Sequence, residues 1–374
     1  MSKIVFTGGG TGGHVFPIIA VDREIKKLSP SGKIKFYYIG SKDDFSYVFL
    51  PQEGIKTIFI LSGKFRRYFT PAAFFQNILD IFFKIPIGFL QSFFILFFLM
   101  PDVIFSKGGY GSLGTVIAGW LLGVPIFMHE SDISPGLANR ICSNFSSKVF
   151  VSFPPKKTEY FSLKKMIYVG NPVREGLLNG SKESAKENFE LHSDRLVLLI
   201  LGGSQGSERI NEIIMGVLPE MIVDFEIIHQ AGDKNIQQVR KEAEAFLKPE
   251  NKSYYHLFPF LSENQLKDAY AAADFIVARS GAGTLFEIAA IGKPSILVPL
   301  PESAQNHQLK NAYNFAESGG CIVLEEGNLT PHFLLKKIKD SFLSGQTKIM
   351  SQKAKDFAKL DATNMIARYL LEHL

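Results

Sequence analysis

A chain of 374 residues with 46% hydrophobic content is too long for one comfortable core and apolar enough to fill two, so two domains are expected. Two cysteines, Cys142 and Cys321, exclude a disulfide framework, have no metal-ligand spacing and suit a reducing cytoplasm. A net charge of +5 favours an anionic partner (nucleic acid, phosphate ligand or membrane surface) without choosing among them.

From the N-terminus, one lysine and three apolar residues precede the first glycines, which is not the pattern of a signal peptide. Apolar β-branched runs then alternate with helical patterns, the signature of a parallel α/β sheet. In the first half the expected strands are KIVFT, KFYYIG, KTIFI, DVIFS, PIFMHE and KVFVSF. Between the third and fourth lies a phenylalanine-rich stretch, Phe74 to Met100, interrupted by Asp80, Lys84, Pro86 and Gln91. Its cleanest part, Ile85 to Met100, falls short of the ~20 apolar residues of a membrane span. Two readings stay open: a buried greasy helix, or a helix lying in a membrane interface beside Lys64, Arg66 and Arg67.

Pro, Gly and polar residues gather in FPPKKTEYF and YVGNPVREGLLNGSKES, placing a domain boundary near Gly170 to Pro172. The second half repeats the pattern with RLVLLILGG, FEIIHQ, SYYHLF, DFIVARS, PSILVPLP and CIVLEE. Each half reads as a doubly wound, Rossmann-like domain, and a hinged pair facing each other across a cleft is expected. The divisions are residues 1–169, 170–351 and a C-terminal helix over 352–374 that packs back on the first domain.

Four glycine turns follow strands: TGGGTGGH (Thr7 to His14), SKGGYGS (Ser106 to Ser112), LGGSQGS (Leu201 to Ser207) and RSGAGT (Arg279 to Thr284). One such turn is weak evidence, since tight turns use glycine for local reasons; two per half point to ligand-binding strand ends. Gly8, Gly10 and Gly13 satisfy the dinucleotide fingerprint, but its ribose-binding acid should end the second strand ~20 residues on, and Asp43 and Asp44 come later than that. No Walker A loop occurs. GGSQGS is better placed to hold phosphate, with Ser204 and Ser207 beside a helix opening near Gln205. Helix capping explains the same two serines equally well. Glu287, three residues after Thr284, is either the acid of a capping box or a carboxylate that accepts bonds from a ribose diol. Asn306, His307, Gln308 and Asn311 supply amides and acceptors suited to a sugar ring.

GGGTGGHVFP, SKGGYGS, HESDISPGLANR, GNPVR, GGSQGS, RSGAGTLFEIAAIGKP and HQLKNA occur in the order of the MurG family, which the chain resembles from residue 3 to about residue 315. MurG enzymes are peripheral membrane N-acetylglucosaminyltransferases of bacterial peptidoglycan synthesis, and so of cell-wall biogenesis, cell shape and division. The resemblance implies a GT-B fold and transfer, with inversion, from UDP-N-acetylglucosamine to the 4-hydroxyl of the muramyl sugar of undecaprenyl-linked lipid I, giving lipid II. It implies action at the cytoplasmic face of the inner membrane, with no cofactor, no metal and no nucleic acid. Carried over by motif, Arg174 and the Leu261 backbone lie near uracil, Glu287 takes the ribose hydroxyls and Ser204 the phosphates. The helix start at Ala282, Gly283 and Thr284 faces the diphosphate, and Gln308 the donor sugar. Thr11, Gly12 and Gly13 close over the donor from the other domain, His14 is the candidate general base, and Tyr110 stands on the acceptor side. Many members read Glu-Gln-Asn where this chain reads Glu130-Ser131-Asp132, so Asp132 accepts hydrogen bonds but cannot donate them, or competes with His14 as base. Rival readings are another UDP-sugar enzyme, such as a glycolipid glycosyltransferase or UDP-N-acetylglucosamine epimerase, a dinucleotide oxidoreductase, and a non-catalytic nucleotide sensor.

Overall fold

Strands that are largely apolar and buried on both faces need helices on both sides, and that is how both halves of this chain are built. The computed structural model describes residues 1–30, 32–64, 66, 70–155, 160–192, 195–203 and 205–374. Two compact units emerge: Met1–Val173 together with Lys359–Leu374, and Arg174–Ala358.

The first unit holds β1 (Ser2–Thr7), α1 (Gly12–Leu28), β2 (Ile34–Gly40), α2 (Asp44–Gln52), β3 (Lys56–Phe59), α3 (Pro71–Leu79), α4 (Ile85–Leu99) and β4 (Val103–Ser106). It continues with α5 (Leu113–Leu121), β5 (Ile126–Glu130), α6 (Leu137–Phe145), β6 (Lys148–Val151) and β7 (Met166–Tyr168). The sheet order is β3-β2-β1-β4-β5-β6-β7, all parallel. All six strands expected here form, and a seventh, β7, joins them from within the stretch read as linker. At three residues β7 is too short to announce itself by periodicity.

The second unit holds α7 (Lys182–Phe189), β8 (Leu196–Leu201), α8 (Glu208–Met215), α9 (Leu218–Asp224), β9 (Phe225–Gln230), α10 (Ile236–Phe246) and β10 (Tyr255–Phe258). Then come α11 (Glu263–Ala272), β11 (Phe275–Ala278), α12 (Ala282–Ile291), β12 (Ser295–Leu297), α13 (His307–Glu317), β13 (Ile322–Val323), α14 (Pro331–Leu343) and α15 (Gln346–Phe357). Its parallel order is β10-β9-β8-β11-β12-β13, with all six expected strands present.

In both sheets the winding reverses once, between β1 and β4 and between β8 and β11. Splayed loops at such a reversal leave a crevice beyond the strand ends. All four glycine turns leave the carboxyl ends of those four strands, so each unit gathers two at its switch point.

The C-terminal segment 352–374, read as one helix, is divided. Its start belongs to α15 in the second unit, and its end forms α16 (Ala362–Leu371) in the first. Ile366, Ala367 and Leu370 join the core containing Ile4, Phe6 and Ile18, and Asn364 donates to Glu24 at 2.6 Å.

The phenylalanine-rich stretch is neither a core helix nor as short as its cleanest part. α3, a π-helical turn (Asp80–Lys84) and α4 run on as one helix of 29 residues, Pro71–Leu99, long and apolar enough to cross a membrane by length and composition, and mostly exposed. Its polar interruptions explain how it is held. Buried Asp80 meets Arg66 at 2.7 Å and Lys84 at 2.5 Å, and Gln91 accepts the Leu61 N–H at 2.8 Å. Gly88 has the Leu61 carbonyl where a Cβ would be, so the strand-to-helix connection lies flat on α4. The other side presents Phe74, Phe75, Phe82, Phe94, Phe97 and Phe98, each more than half exposed. Arg67, expected to flank this segment, lies outside the described residues.

Candidate active site

At the switch point of the second unit, β8 ends in Leu201 and the chain turns through Gly203 and Gly206, both at positive φ (88° and 78°). A Cβ on Gly206 would stand 2.3 Å from the Ala231 carbonyl, and one on Gly232 would stand 2.6 Å from the Gly206 Cα. Two turns are thus stacked where no side chain fits. α8 opens at Glu208, later than Gln205, and Ser207 is its N-cap, accepting the Ile210 N–H at 3.3 Å. The capping reading therefore holds for Ser207; Ser204 lies outside the described residues. Arg279, at the end of β11, donates to Ser207 at 2.7 Å and to the Val298 carbonyl at 3.2 Å, and pairs with Glu326. Gln230, closing β9, donates to the Gly203 carbonyl and accepts the Leu261 N–H, both at 3.0 Å. One carboxamide therefore ties the turn after β8 to the backbone at Leu261.

α12 begins at Ala282 with Gly281 as N-cap, so Thr284 is its third residue and Glu287 its sixth. A capping box needs the pair at N-cap and third position, and that reading of Glu287 is overturned. Glu287 instead accepts from Arg174 at 3.2 Å and from the Tyr270 hydroxyl at 3.0 Å, while Arg174 also reaches Glu263 at 3.4 Å. Burial, then the Glu287 charge, push the Tyr270 phenol well above its ordinary value, fixing it as a donor. Among the described residues, a Cβ on Gly281 or Gly283 would meet nothing within 4 Å, and neither glycine has a positive φ. Nothing in the chain's own packing requires glycine there, at the positive end of a helix dipole.

Gln308 follows two non-glycine residues in left-handed conformation, Gln305 (φ 58°) and Asn306 (φ 56°), a strained approach of the kind functional sites retain. Its side chain accepts the Leu300 N–H at 3.0 Å, and its carbonyl accepts from Ser280 at 2.9 Å. Asn311 is buried on the same helix, whereas Asn306 forms its cap position.

In the first unit the turns after β1 and β4 are nested. Gly9 (φ 129°) leaves no room beside Ser41, whose hydroxyl would be 2.2 Å from a Cβ, and a Cβ on Gly111 would be 2.4 Å from the Gly8 carbonyl. Tyr38 donates to the Gly8 carbonyl at 2.8 Å, and Asp43 accepts the Gly10 N–H at 3.1 Å while capping α2. Asp43 thus holds the turn's own backbone, a structural task that accounts for it. His14 is the third residue of α1, with its Nδ1 3.2 Å from the hydroxyl of Thr11, the N-cap. On its other side a Cβ at Gly109 would be 3.2 Å from His14 Nε2, and the Tyr110 ring covers Gly10 in the same way at 3.0 Å. Gly12 is buried and Gly13 exposed.

Beyond β4 and β5 lies a buried polar cluster. Lys107 Nζ donates to Ser131 at 2.7 Å, and Ser131 donates to Asn171 at 2.6 Å. Glu130 accepts from Asn139 at 2.7 Å and from the Asp132 N–H at 2.9 Å, and Asn139 accepts the Gly109 N–H at 3.0 Å. Burial, reinforced by the Asp132 charge and opposed by Lys107, raises the Glu130 carboxyl to about 7. His129, buried beside Lys107, is held well below its ordinary value and stays neutral.

Of the expected residues, Arg174 meets Glu287 and Thr11 meets His14 directly, while Tyr110 lies against Gly10 and Gln308 is tied to Ser280 before α12. Leu261 is tied through Gln230 to the Gly203 turn, and Asp132 is linked to Gly109 through Glu130 and Asn139. Tyr270, Glu263 and Gln230 were missed because only the fold brings them to the motifs they support; Arg279, Lys107, Glu130 and Asn139 lie inside the quoted motifs, but their buried partners come from elsewhere in the fold. Among the described residues no group of three His, Cys, Asp or Glu side chains is placed to hold a metal ion.

Residues 4–151 match the glycosyltransferase family 28 N-terminal domain and residues 197–366 the family 28 C-terminal domain. A UDP-N-acetylglucosamine–N-acetylmuramyl-(pentapeptide) pyrophosphoryl-undecaprenol N-acetylglucosamine transferase of Clostridium kluyveri is 37% identical, with 98% of each chain covered. A Bacillus cereus protein of the same description is 35% identical over 100% of each chain. Among solved structures, MurG of Acinetobacter baumannii superposes with a TM-score of 0.73 at 24% identity over 100% of both chains. A UDP-N-acetylglucosamine 2-epimerase follows with a TM-score of 0.69 at 14% identity, covering 100% of this chain and 96% of the other. These likenesses fix the GT-B class of fold. With both domains matched and full-length identity at this level, the chain belongs to glycosyltransferase family 28 and, within it, to the MurG branch.

Proposed function

We propose that this glycosyltransferase moves N-acetylglucosamine from UDP-N-acetylglucosamine to the 4-hydroxyl of the muramyl sugar of lipid I, yielding lipid II with inversion at the anomeric centre. The single observation that carries the site is Glu287: a carboxylate on α12, clasped by Arg174 and Tyr270, beside a helix start whose glycines leave open space. A nucleoside diphosphate fits that combination. Its ribose diol donates to Glu287, and its phosphates take the N–H groups and dipole of Ala282, Gly283 and Thr284. Arg174 and the Leu261 backbone serve the uracil, Ser204 the phosphates, and the Gln308 amide the donor sugar.

The first unit, with residues 1–169 as its body and the last helix completing it, supplies the acceptor chemistry, and the second serves the donor. Direct inversion requires a base on the attacking hydroxyl and stabilisation of the departing UDP. His14 is that base. Its place in the first turn of α1 disfavours the imidazolium, and Thr11 orients the ring. Thr11, Gly12, Gly13 and Asp132 carry the sugar-contact role that their motifs imply, and Tyr110 that of the acceptor side.

The test is incubation of the pure protein with radiolabelled UDP-N-acetylglucosamine and a short-chain lipid I analogue in EDTA. Label is expected in the lipid. Nucleotide binding without label in the lipid would overturn the transfer and favour other UDP-sugar chemistry, epimerisation first.

A polyprenyl acceptor resides in a bilayer, and the exposed phenylalanine face of α3 and α4 is suited to its interface. Peripheral attachment at the cytoplasmic surface is the resulting location. The double variant Phe94→Glu, Phe97→Glu is expected to cut sedimentation with anionic vesicles at least tenfold while its melting temperature holds. Unchanged sedimentation by the folded variant would rule out this face.

A further inference from the structure

One face of β9 buries Phe225 and Ile227 in the core of the second unit, and strand alternation puts His229 on that same face. Asn211 interrupts the apolar run Ile210, Ile213 and Ile214 of α8 in the same core. His229 is 0% exposed and Asn211 3%, in positions where aliphatic side chains would fill the space. Burying an imidazole and a carboxamide there is costly unless their polar atoms are paired. They are. The Nε2 of His229 lies 3.0 Å from the Asn211 Oδ1, its Nδ1 lies 2.7 Å from the Tyr255 hydroxyl, and the Asn211 Nδ2 donates to the Ala231 carbonyl at 3.1 Å. That carbonyl fixes the direction of every bond. It can only accept, so Asn211 turns its nitrogen to it and its oxygen to His229. The Nε2 of His229 therefore carries the proton, and Tyr255, at the start of β10, donates to the bare Nδ1. Burial pushes the imidazole down to about 3, and burial with the Glu242 charge raises the phenol, so both stay neutral.

We propose that His229 is a positioning residue for the turn through Gly203 and Gly206: by way of Asn211 it fixes the start of α8 to the Ala231 carbonyl, against which that turn is seated. This rests on the reading above that gives this turn the donor's phosphates. The seat is close, since a Cβ on Gly206 would stand 2.3 Å from the Ala231 carbonyl and one on Gly232 2.6 Å from the Gly206 Cα. Asn235 donates to the same carbonyl at 3.0 Å, so Ala231 is held from two helices, α8 and the N-cap of α10. An apolar pair at positions 229 and 211 would keep strand and helix together without setting one spacing between them. A fully bonded polar chain sets it, because any shift leaves a buried donor or acceptor unpaired.

The test compares His229→Leu, His229→Gln and the double variant His229→Leu, Asn211→Leu with wild type. Each is melted without ligand and titrated with UDP and, separately, with uridine, which has no phosphates. His229→Leu leaves the Asn211 oxygen unpaired, so its melting temperature falls and its UDP affinity drops about tenfold, while uridine affinity stays within about threefold. His229→Gln keeps an N–H for Asn211 and is expected to bind UDP within about threefold of wild type. The double variant removes both polar partners, so it recovers the melting temperature. It still lacks the tie to Ala231, and its tenfold loss for UDP persists. Recovered stability without recovered UDP affinity is a split that a merely structural role does not produce. Should His229→Leu fail to fold, the double variant carries the comparison. A folded double variant that binds UDP as wild type does, or that loses uridine as much as UDP, overturns the proposal alone. Wild-type protein that binds uridine as tightly as UDP would instead sink the phosphate reading of the turn, and the proposal with it.

Discussion

Glu287→Ala is expected to raise KM for UDP-N-acetylglucosamine by 10²-fold or more and to weaken UDP binding in parallel. Two losses combine. The ribose diol loses a charged acceptor, with each such bond contributing about 1.5–3 kcal/mol. Arg174, 5% exposed, loses a carboxylate at 3.2 Å and keeps Glu263 at 3.4 Å, and Tyr270 loses the oxygen it donates to at 3.0 Å. Breaking a buried pair by removing one partner costs about 3–5 kcal/mol, so the melting temperature falls as well. Glu287→Gln separates the contributions, since the amide keeps an acceptor for Tyr270 but has no charge for Arg174. Calorimetric titration with UDP is the decisive readout. Undiminished UDP affinity in a folded Glu287→Ala protein would remove the residue from the nucleotide site and take the proposed donor geometry with it.

His14→Ala should act on the other parameter. Removing a positioned general base lowers kcat by roughly 10²–10⁴-fold. UDP affinity is expected to change less than threefold, because every residue proposed to hold the uridine lies in Arg174–Ala358. The ring is held by Thr11 at Nδ1 and bounded by Gly109 at Nε2, so its removal opens a small space at the start of α1. A variant that loses UDP affinity as much as turnover would make His14 a binding residue. Full retention of turnover would pass the base role to Asp132.

Much of this was legible beforehand because the signals were local. Twelve strands announced themselves as apolar β-branched runs, and the glycine turns as positions where only glycine fits: Gly9 against Ser41, Gly206 against Ala231. The winding reversal that makes those turns converge was not legible, since strand order is a tertiary fact. The same limit applied to side chains. Thr284 and Glu287 have capping-box spacing, and only the observed helix start at Ala282 showed that the spacing was coincidental. Tyr270 and Gln230 carry no motif of their own, and each acts on a residue brought near by folding. In the phenylalanine stretch the polar residues read as interruptions. Asp80, Lys84 and Gln91 turned out to be its anchors, which is why the helix continues through them.

The contribution of α16 to the first unit sets an order of events during synthesis. The second unit is a single continuous segment, Arg174–Ala358, and all of its sheet and helices are available once that segment is made. The first unit begins at Met1 but draws Ile366, Ala367 and Leu370 into the core beneath β1, and Phe127 and Phe150 pack their edges against Tyr369. Domains generally fold as units in the order they are made. Here the half translated first must wait, with part of its apolar surface uncovered, for the last turns of the chain. The half translated second is complete before it.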